Sequence, residues 1–497
     1  MTTRTSRTTN KPATLGAFNA LALAALLAAA ALTGPAATNA RAQTPQAQTQ
    51  QTPAQNPNDA LLNALVRKGI LTQQEAANLR AETQQQQQPS PQPQNAAAPT
   101  TAIAPAAAPK LNLFPGLTSL GFYGDMRLRY EYKEGSDAAS ATGDRQEINR
   151  FRYRLRLGFN GKFAAGWFFG ARIETANNNR STNVTMGSYG NASGKAAANT
   201  IYVGQAFAGW TNQDFTFTAG RMANPFTYSQ TFVWSDDINV EGLAEQWNHN
   251  FGVFTLFANL AQLVYVNNGG TTNAFKTSGA PGTYLFGNQV GARVKLATTM
   301  YLQAAPAYYA YSNDARDISG MVPPATPNSA NLQTTGLQIL DIPLELGLPS
   351  IAEGKIPAKI FGDFAANFAA SARAKAADTG DGKIAGEKNQ DLAWQLGLAI
   401  GQLKNKGDWE ARAYYQSTDA FALDPNLVDT TEFDARTNMQ GWAVMGTYVI
   451  TPGVSVKLSY YNAQRKNARL PTYGAADLGA ANLGKTNIFQ ADLLIKF

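Results

Sequence analysis

Between Arg150 and Phe159 the chain alternates without a break: Arg150, Arg152, Arg154, Arg156 and Gly158 interleave with Phe151, Tyr153, Leu155, Leu157 and Phe159. A period of two belongs to an extended strand, whose side chains leave alternately on opposite faces; a helical period of 3.6 cannot sustain it. The same texture starts at Leu117. Leu120, Phe122, Gly124, Met126, Leu128, Tyr130 and Tyr132 interleave with Gly121, Asp125, Arg127, Arg129 and Glu131. Stretches rich in Gly, Asn, Asp and Thr separate one run from the next. The runs fall at about 117–132, 149–161, 166–176, 200–211, 214–221, 238–248, 250–263, 284–298, 299–313, 333–345, 356–371, 390–403, 408–419, 438–450, 454–464 and 486–497.

Alternation also suits a two-sheet sandwich, but three features favour a membrane. Runs of ten or more residues match tilted strands crossing a hydrocarbon layer, whereas globular strands average about five or six. Short connections (Gly161–Gly166, Lys404–Asp408, Thr451–Gly453) alternate with long ones (Lys133–Glu147, Asn177–Asn199, Asn268–Gly282, Ala420–Thr437, Gln464–Lys485), as short periplasmic turns and long external loops do in outer-membrane barrels. The last strand carries Phe489, Ala491, Leu493, Ile495 and the terminal Phe497 on one face. That face resembles the signal read by the bacterial barrel-assembly machinery. The expected fold is an all-β transmembrane protein, an antiparallel β-barrel of about sixteen strands over residues 111–497. Fourteen or eighteen strands would also satisfy the even number that returns both ends to one side. Pro343 and Pro349 make the run at 333–345 the weakest, because proline cannot donate to a ladder.

The chain has 497 residues. Its start reads as a cleaved signal peptide, residues 1–42: Arg4, Arg7 and Lys11 precede the apolar run Leu15–Leu32, and Ala40-Arg41-Ala42 forms a small-x-small site before Gln43. A membrane anchor is the alternative reading of the run. The leader holds four cations and no acid, so the formal charge falls from +7 to +3 on its removal. That modest balance gives no case for a nucleic-acid partner. Residues 43–110 read as a periplasmic tether rich in Gln, Pro and Ala, too poor in apolar groups to fold alone. Within it lies a helical segment, 58–83, with short helices near 59–68 and 73–83 and a capping box at Thr72 and Glu75. "LVRKGILTQQEAANLR" (Leu65–Arg80) resembles small helical oligomerisation modules; a marginal linker helix is the alternative.

With these runs in order, the chain resembles the putative porins of Gram-negative bacteria that carry an N-terminal helical segment. The resemblance rests on "YGDMRLRYEY" (Tyr123–Tyr132), "NRFRYRLRLGF" (Asn149–Phe159), "TAGRMANPF" (Thr218–Phe226), "KNKGDWEARAYY" (Lys404–Tyr415) and "TNMQG" (Thr437–Gly441). It implies a pore in the cell outer membrane for passive diffusion of small hydrophilic solutes. Its implied partners are membrane lipid and lipopolysaccharide, the assembly machinery and further copies of the chain, with a trimer suspected. A barrel with a structural or cell-surface role and no open pore is the alternative.

Arg127, Arg129, Arg150, Arg152, Arg154, Arg156 and Arg172 must face the lumen, since a cation on the lipid face at mid-bilayer costs about 2–4 kcal/mol. Adjacent strands would gather them into one basic strip that either guides anions weakly or pairs with Asp125, Glu131, Glu147 and Glu174 and holds the wall. Met222–Asn239, dense in aromatics and ending near Asp236 and Asp237, reads either as a loop folded into the lumen or as an ordinary external loop. Folded inward, its acids would set a transverse field against the basic strip. Phe489, Leu493, Ile495 and Phe497 are the candidate assembly signal. Trp167, Trp210, Trp394, Trp409, Trp442, Tyr448, Tyr460 and Tyr461 suit interfacial girdles. Asp378, Asp381 and Gly382 fail the calcium-loop spacing and read as a plain polar loop. No enzyme, metal or cofactor is expected: the chain has no Cys, and its one imidazole, His249, reads as part of a turn.

Overall fold

The computed structural model describes residues 116–137, 145–176, 181–187, 200–266, 283–312, 336–351, 356–378, 382–474, 477–478 and 483–497. The leader, the tether and the helical segment 58–83 lie outside them. The described chain is one antiparallel wall. Its staves are β1 (Leu117–Asp137), β2 (Arg145–Phe163), β3 (Trp167–Thr175), β4 (Ile201–Thr211), β5 (Phe215–Ala223), β6 (Asn239–Asn250), β7 (Phe254–Val266) and β8 (Thr283–Lys295). Then come β9, in two pieces (Tyr301–Ala304 and Ala307–Tyr311), β10 (Gln338–Ser350), β11 (Ile356–Asn367), β12 (Leu392–Gly401) and β13 (Trp409–Thr418). Three more complete it: β14 (Met439–Thr451), β15 (Val454–Arg465) and β16 (Leu483–Lys496). Each pairs with the next, and β16 pairs back with β1 through Met126↔Ile495 to Tyr132↔Phe489. The sixteen staves thus form a closed barrel, which leaves no unpaired edge. A separate two-residue strand, Val184–Thr185, pairs with Arg152 and Tyr153 of β2.

Burial follows the alternation in the sense opposite to a soluble protein. Phe122, Phe151, Val290 and Trp442 are each about 60% exposed on the outside, while Glu131, Gln289, Gln395 and Asp492 are buried within. Water-avoiding side chains facing out and hydrogen-bonding ones facing in is the arrangement a bilayer selects. The short connections are tight turns. Gly166 and Gly453 close two of them with φ of +86° and +84°, a region that a Cβ disfavours.

Two of the wall's prolines, Pro306 and Pro343, lie at one place on neighbouring staves. β9 is interrupted at Pro306, and the register places Ala305 opposite Pro343 of β10. Ala305 still donates to the Pro343 carbonyl at 3.0 Å, but Pro343 has no N–H to return. The inward Gln289 amide reaches the Ala305 carbonyl instead, at 3.1 Å. The run containing Pro343 is therefore a full stave, satisfied by a side chain from the neighbouring strand.

Two expectations need correction. The run at 356–371 ends at Asn367, and Ala370–Ala377 forms the helix α1. Asn367 stops the strand: its amide donates to the carbonyls of Gly336 and Phe421, each at 2.7 Å, and its oxygen accepts from Ala369 N at 3.1 Å. The Ala-rich sequence beyond has no period of two and high helix propensity. Second, the stretch Ala420–Thr437 is not an external loop. Ala420, Phe421, Leu423, Phe433 and Ala435 are fully buried, and the segment packs inside the wall. The Asp378 loop is the plain polar loop expected: its carboxylate accepts N–H groups of Gly382 and Ala385, while Asp381 lies outside the described residues.

Candidate functional site in the barrel lumen

The arginines of the first two staves stand side by side as like charges. Across β1 and β2 the register opposes Arg127 to Arg154 and Arg129 to Arg152, with Asp125 facing Arg156 and Glu131 facing Arg150. Directly opposed like charges destabilise a sheet, so acids must be threaded among them. Asp492 of β16 grips Arg129 with two bonds, 2.6 and 2.8 Å. Asp125 accepts from Arg154 at 2.7 Å and from Arg156 at 2.6 Å. Glu131, fully buried, pairs with Arg150 and Arg152 and accepts from Gln490 at 2.8 Å. Arg172 pairs with Glu174 at 2.9 Å. Glu147, expected among these partners, pairs with Arg145 at 2.9 Å instead. Arg127 alone of the seven has no carboxylate within 4 Å among the described residues; its guanidinium donates to Asn183 Oδ1.

The segment after β5 folds into the lumen. Phe226, Phe232 and Trp234 are buried with Tyr309, Leu337 and Ile339 of the opposite wall. Gly287 makes the close approach possible: a Cβ there would overlap the Phe226 ring. The loop's polar groups are tied across the barrel. Thr227 N donates to Gln289 at 2.8 Å, Gln395 donates to the Thr231 carbonyl at 3.2 Å, and Arg412 donates to Gln230. At its far end Arg154 pairs with Asp237 at 3.2 Å, while Asp236 accepts from Tyr228 at 2.7 Å. Burial alone would raise Asp237, but Arg154, Arg127, Arg156 and Arg129 hold its carboxyl down at about 2.

A second inward loop, Asp419–Asn438, leans on the first and was not legible as such. Ser235 N donates to the Leu427 carbonyl at 2.7 Å, and Glu432 accepts from Thr231 at 2.8 Å and Gln230 at 3.2 Å. Burial, reinforced by the neighbouring Asp429, pushes the Glu432 carboxyl up to about 8. Tyr265 and Tyr311 both donate to Asp424, at 2.6 and 2.8 Å. Phe433, Asp434 and Ala435 have positive φ of 48°, 58° and 53°, a conformation that non-glycine residues hold only when the surroundings enforce it. The Asp434 carboxylate is the clamp: it takes Lys133 Nζ at 3.1 Å, Arg436 Nε at 3.3 Å and the N–H groups of Asp477 and Leu478, each at 3.2 Å.

Between wall and loops lies a cavity of about 490 Å³. Arg127, Arg129, Arg154, Arg156 and Arg172 line it together with Arg412, Lys457 and Lys496 and the acids Asp236, Asp237, Glu410, Asp429 and Glu432. Arg150 and Arg152 sit beside it in the paired network rather than on its surface. His249, at the end of β6 rather than within a turn, is outside the cavity lining with Nδ1 3.0 Å from Asp214. Phe489 and Ile495 follow the register of β16 against Tyr132 and Met126, and Phe497 closes the seam by exchanging two backbone bonds with Gly124, 2.8 and 3.1 Å.

The model of a family described as "Putative porin" matches residues 131–339. No curated protein matches the chain. Among solved structures it is similar to OprB of Pseudomonas putida, at high pH, with 10% identity and a TM-score of 0.47 over 76% of this chain and 94% of that one. It is also similar to a loop L8 deletion mutant of OmpT from Vibrio cholerae (10%, 0.39, covering 76% and 99%). A third is an anion-selective porin from Comamonas acidovorans (12%, 0.41, covering 76% and 99%). The matched stretch holds the first inward loop and, of the basic strip, Arg150, Arg152, Arg154, Arg156 and Arg172; over it the chain is similar to that family.

Proposed function

We propose that this outer-membrane channel passes small hydrophilic solutes by passive diffusion and weakly prefers anions. One observation carries the reading: a stave count that leaves an aqueous lumen encloses a cavity lined by a strip of arginines, of which Arg127 makes no ion pair within 4 Å among the described residues. Guanidinium groups at fixed positions in such a lumen lower the barrier for an anion without binding it tightly. The acids of the first inward loop face the strip and supply the other pole of a transverse field. Export through a cleaved leader, insertion by the assembly machinery through the Phe489–Phe497 face, and contact with lipid and lipopolysaccharide belong to the same proposal.

In a planar bilayer under a KCl gradient, the reversal potential should lie toward the chloride potential; a value toward potassium overturns the anion preference. Proteoliposomes should swell in small neutral sugars. The second reading, a barrel with no open pore, draws on the two loops packed inside the wall. Absence of both current and swelling would establish it.

A further inference from the structure

A belt of polar side chains runs round the inner wall beneath the first inward loop. The register sets Asn259 beside Gln289, Asp363 beside Gln395, and Gln395 beside Gln416. On β10 the direct partner of Asp363 is Pro343, which puts Asp341 on the diagonal. The Asp341 and Asp363 carboxyl groups are within hydrogen-bond reach of each other. The loop is tied down on either side of this pair. Thr227 exchanges two bonds with Gln289, its N–H donating at 2.8 Å and its carbonyl accepting at 2.9 Å. The Thr231 carbonyl accepts from Gln395 at 3.2 Å.

The middle of the belt is short of donors. Asp341 Oδ1, Asp363 Oδ1 and Gln395 Oε1 have no hydrogen-bond partner among the described residues, and their residues are only 2%, 5% and 1% exposed. The Gln395 amide cannot turn to relieve this. Its nitrogen donates to the Thr231 carbonyl and, at 3.0 Å, to Gln416, and a carbonyl can only accept. Its oxygen is therefore left for the other side, where Asp363 is the cross-strand neighbour.

The charge is unbalanced as well. The inward acids Asp125, Glu131, Glu174, Glu345 and Asp492 each make an ion pair with an Arg or Lys. Asp341 and Asp363 make none among the described residues. Two adjacent carboxylates taken out of water lose their hydration and repel each other. A shared proton would settle the pair, but it would leave the Gln395 oxygen without a partner. A divalent cation answers all three oxygens and cancels both charges.

We propose that Asp341, Asp363 and Gln395 hold a divalent cation, calcium by preference, beneath the first inward loop. Two carboxylates and an amide form an all-oxygen set, which suits a hard cation and needs neither Cys nor His. Calcium accepts irregular geometry, whereas magnesium demands a near-ideal octahedron and gives up its water reluctantly. None of the three residues lines the arginine-bearing cavity, so the site stands independently of the anion preference.

Terbium, a luminescent stand-in for calcium, can report on this site through Trp234. That ring lies 5.6 Å from the ring of Tyr309, and Ala307, two residues before Tyr309, is the register partner of Asp341. Full-length protein refolded in detergent without lipopolysaccharide should show tryptophan-sensitised terbium emission that saturates at a single ion per chain. Calcium should displace it, and magnesium should do so about tenfold less well. Asp341→Asn combined with Asp363→Asn should abolish the emission, with the folded band on unheated gels retained. Trp234→Phe keeps the oxygens: it should lose the emission while calcium still raises the urea midpoint, as a ligand of the folded state must. Native protein without displaceable emission overturns the proposal, as does emission unchanged in the folded Asn variant or in Trp234→Phe. A protonated-carboxyl infrared band in the native protein with calcium at neutral pH, missing from the Asn variant, overturns it too and assigns the pair a shared proton.

Discussion

Arg127 and Arg129 stand two positions apart on one stave and carry different duties. Arg129 is locked to Asp492, both nearly without exposure; Asp492→Ala leaves the buried cation only Glu131, at 3.8 Å, and should cost about 3 kcal/mol. A clear fall in the urea midpoint of the folded barrel would show it. Arg127 answers only to an amide. Arg127→Gln should therefore leave that midpoint unchanged while moving the reversal potential toward the potassium value. An unchanged reversal potential would remove Arg127 from the conduction path. Gly287 gives a steric test: Gly287→Ala must displace the Phe226 ring, so single-channel current should become noisier with the wall intact. The arginines were legible because a period of two forces them to one face and a bilayer forbids the other. Their partners were only partly legible, since Asp492 lies far along the chain and only closure of the barrel brings it near.

The strands were readable in number and order, with ends displaced by up to five residues, because the staves keep the alternation, including the one through Pro343. The aromatics of the first inward loop left two readings open, inward or external, and the structure folds it inward. The second gave no such sign. Asp424, Glu432 and Asp434 look like solvent-facing residues in a sequence, and they are buried because the lumen itself is polar. Glu432 joins the two loops. Because its folded carboxyl is raised to about 8 from an ordinary value near 4.3, the folded state holds the extra proton between those values. The junction is strongest in mild acid and weakens as pH rises toward 8. Current fluctuations should thus increase as pH rises toward 8, level off above it, and become pH-independent in Glu432→Gln. A native channel equally quiet at pH 6 and pH 9 would refute this. Replacing 226–236 by a short Gly-Ser linker should raise conductance severalfold, since it removes the segment that crosses the lumen.

At the scale of the molecule, closure is the organising fact. It removes every sheet edge and sets most apolar side chains outward and most polar ones inward. Sixteen staves are enough to hold water between two loops and a charged wall. The most direct test is single-channel recording of the purified full-length protein in a planar bilayer. The account predicts discrete, reproducible conductance steps in KCl that grow when 226–236 is removed. A folded barrel that gives no steps, with or without that loop, would contradict it.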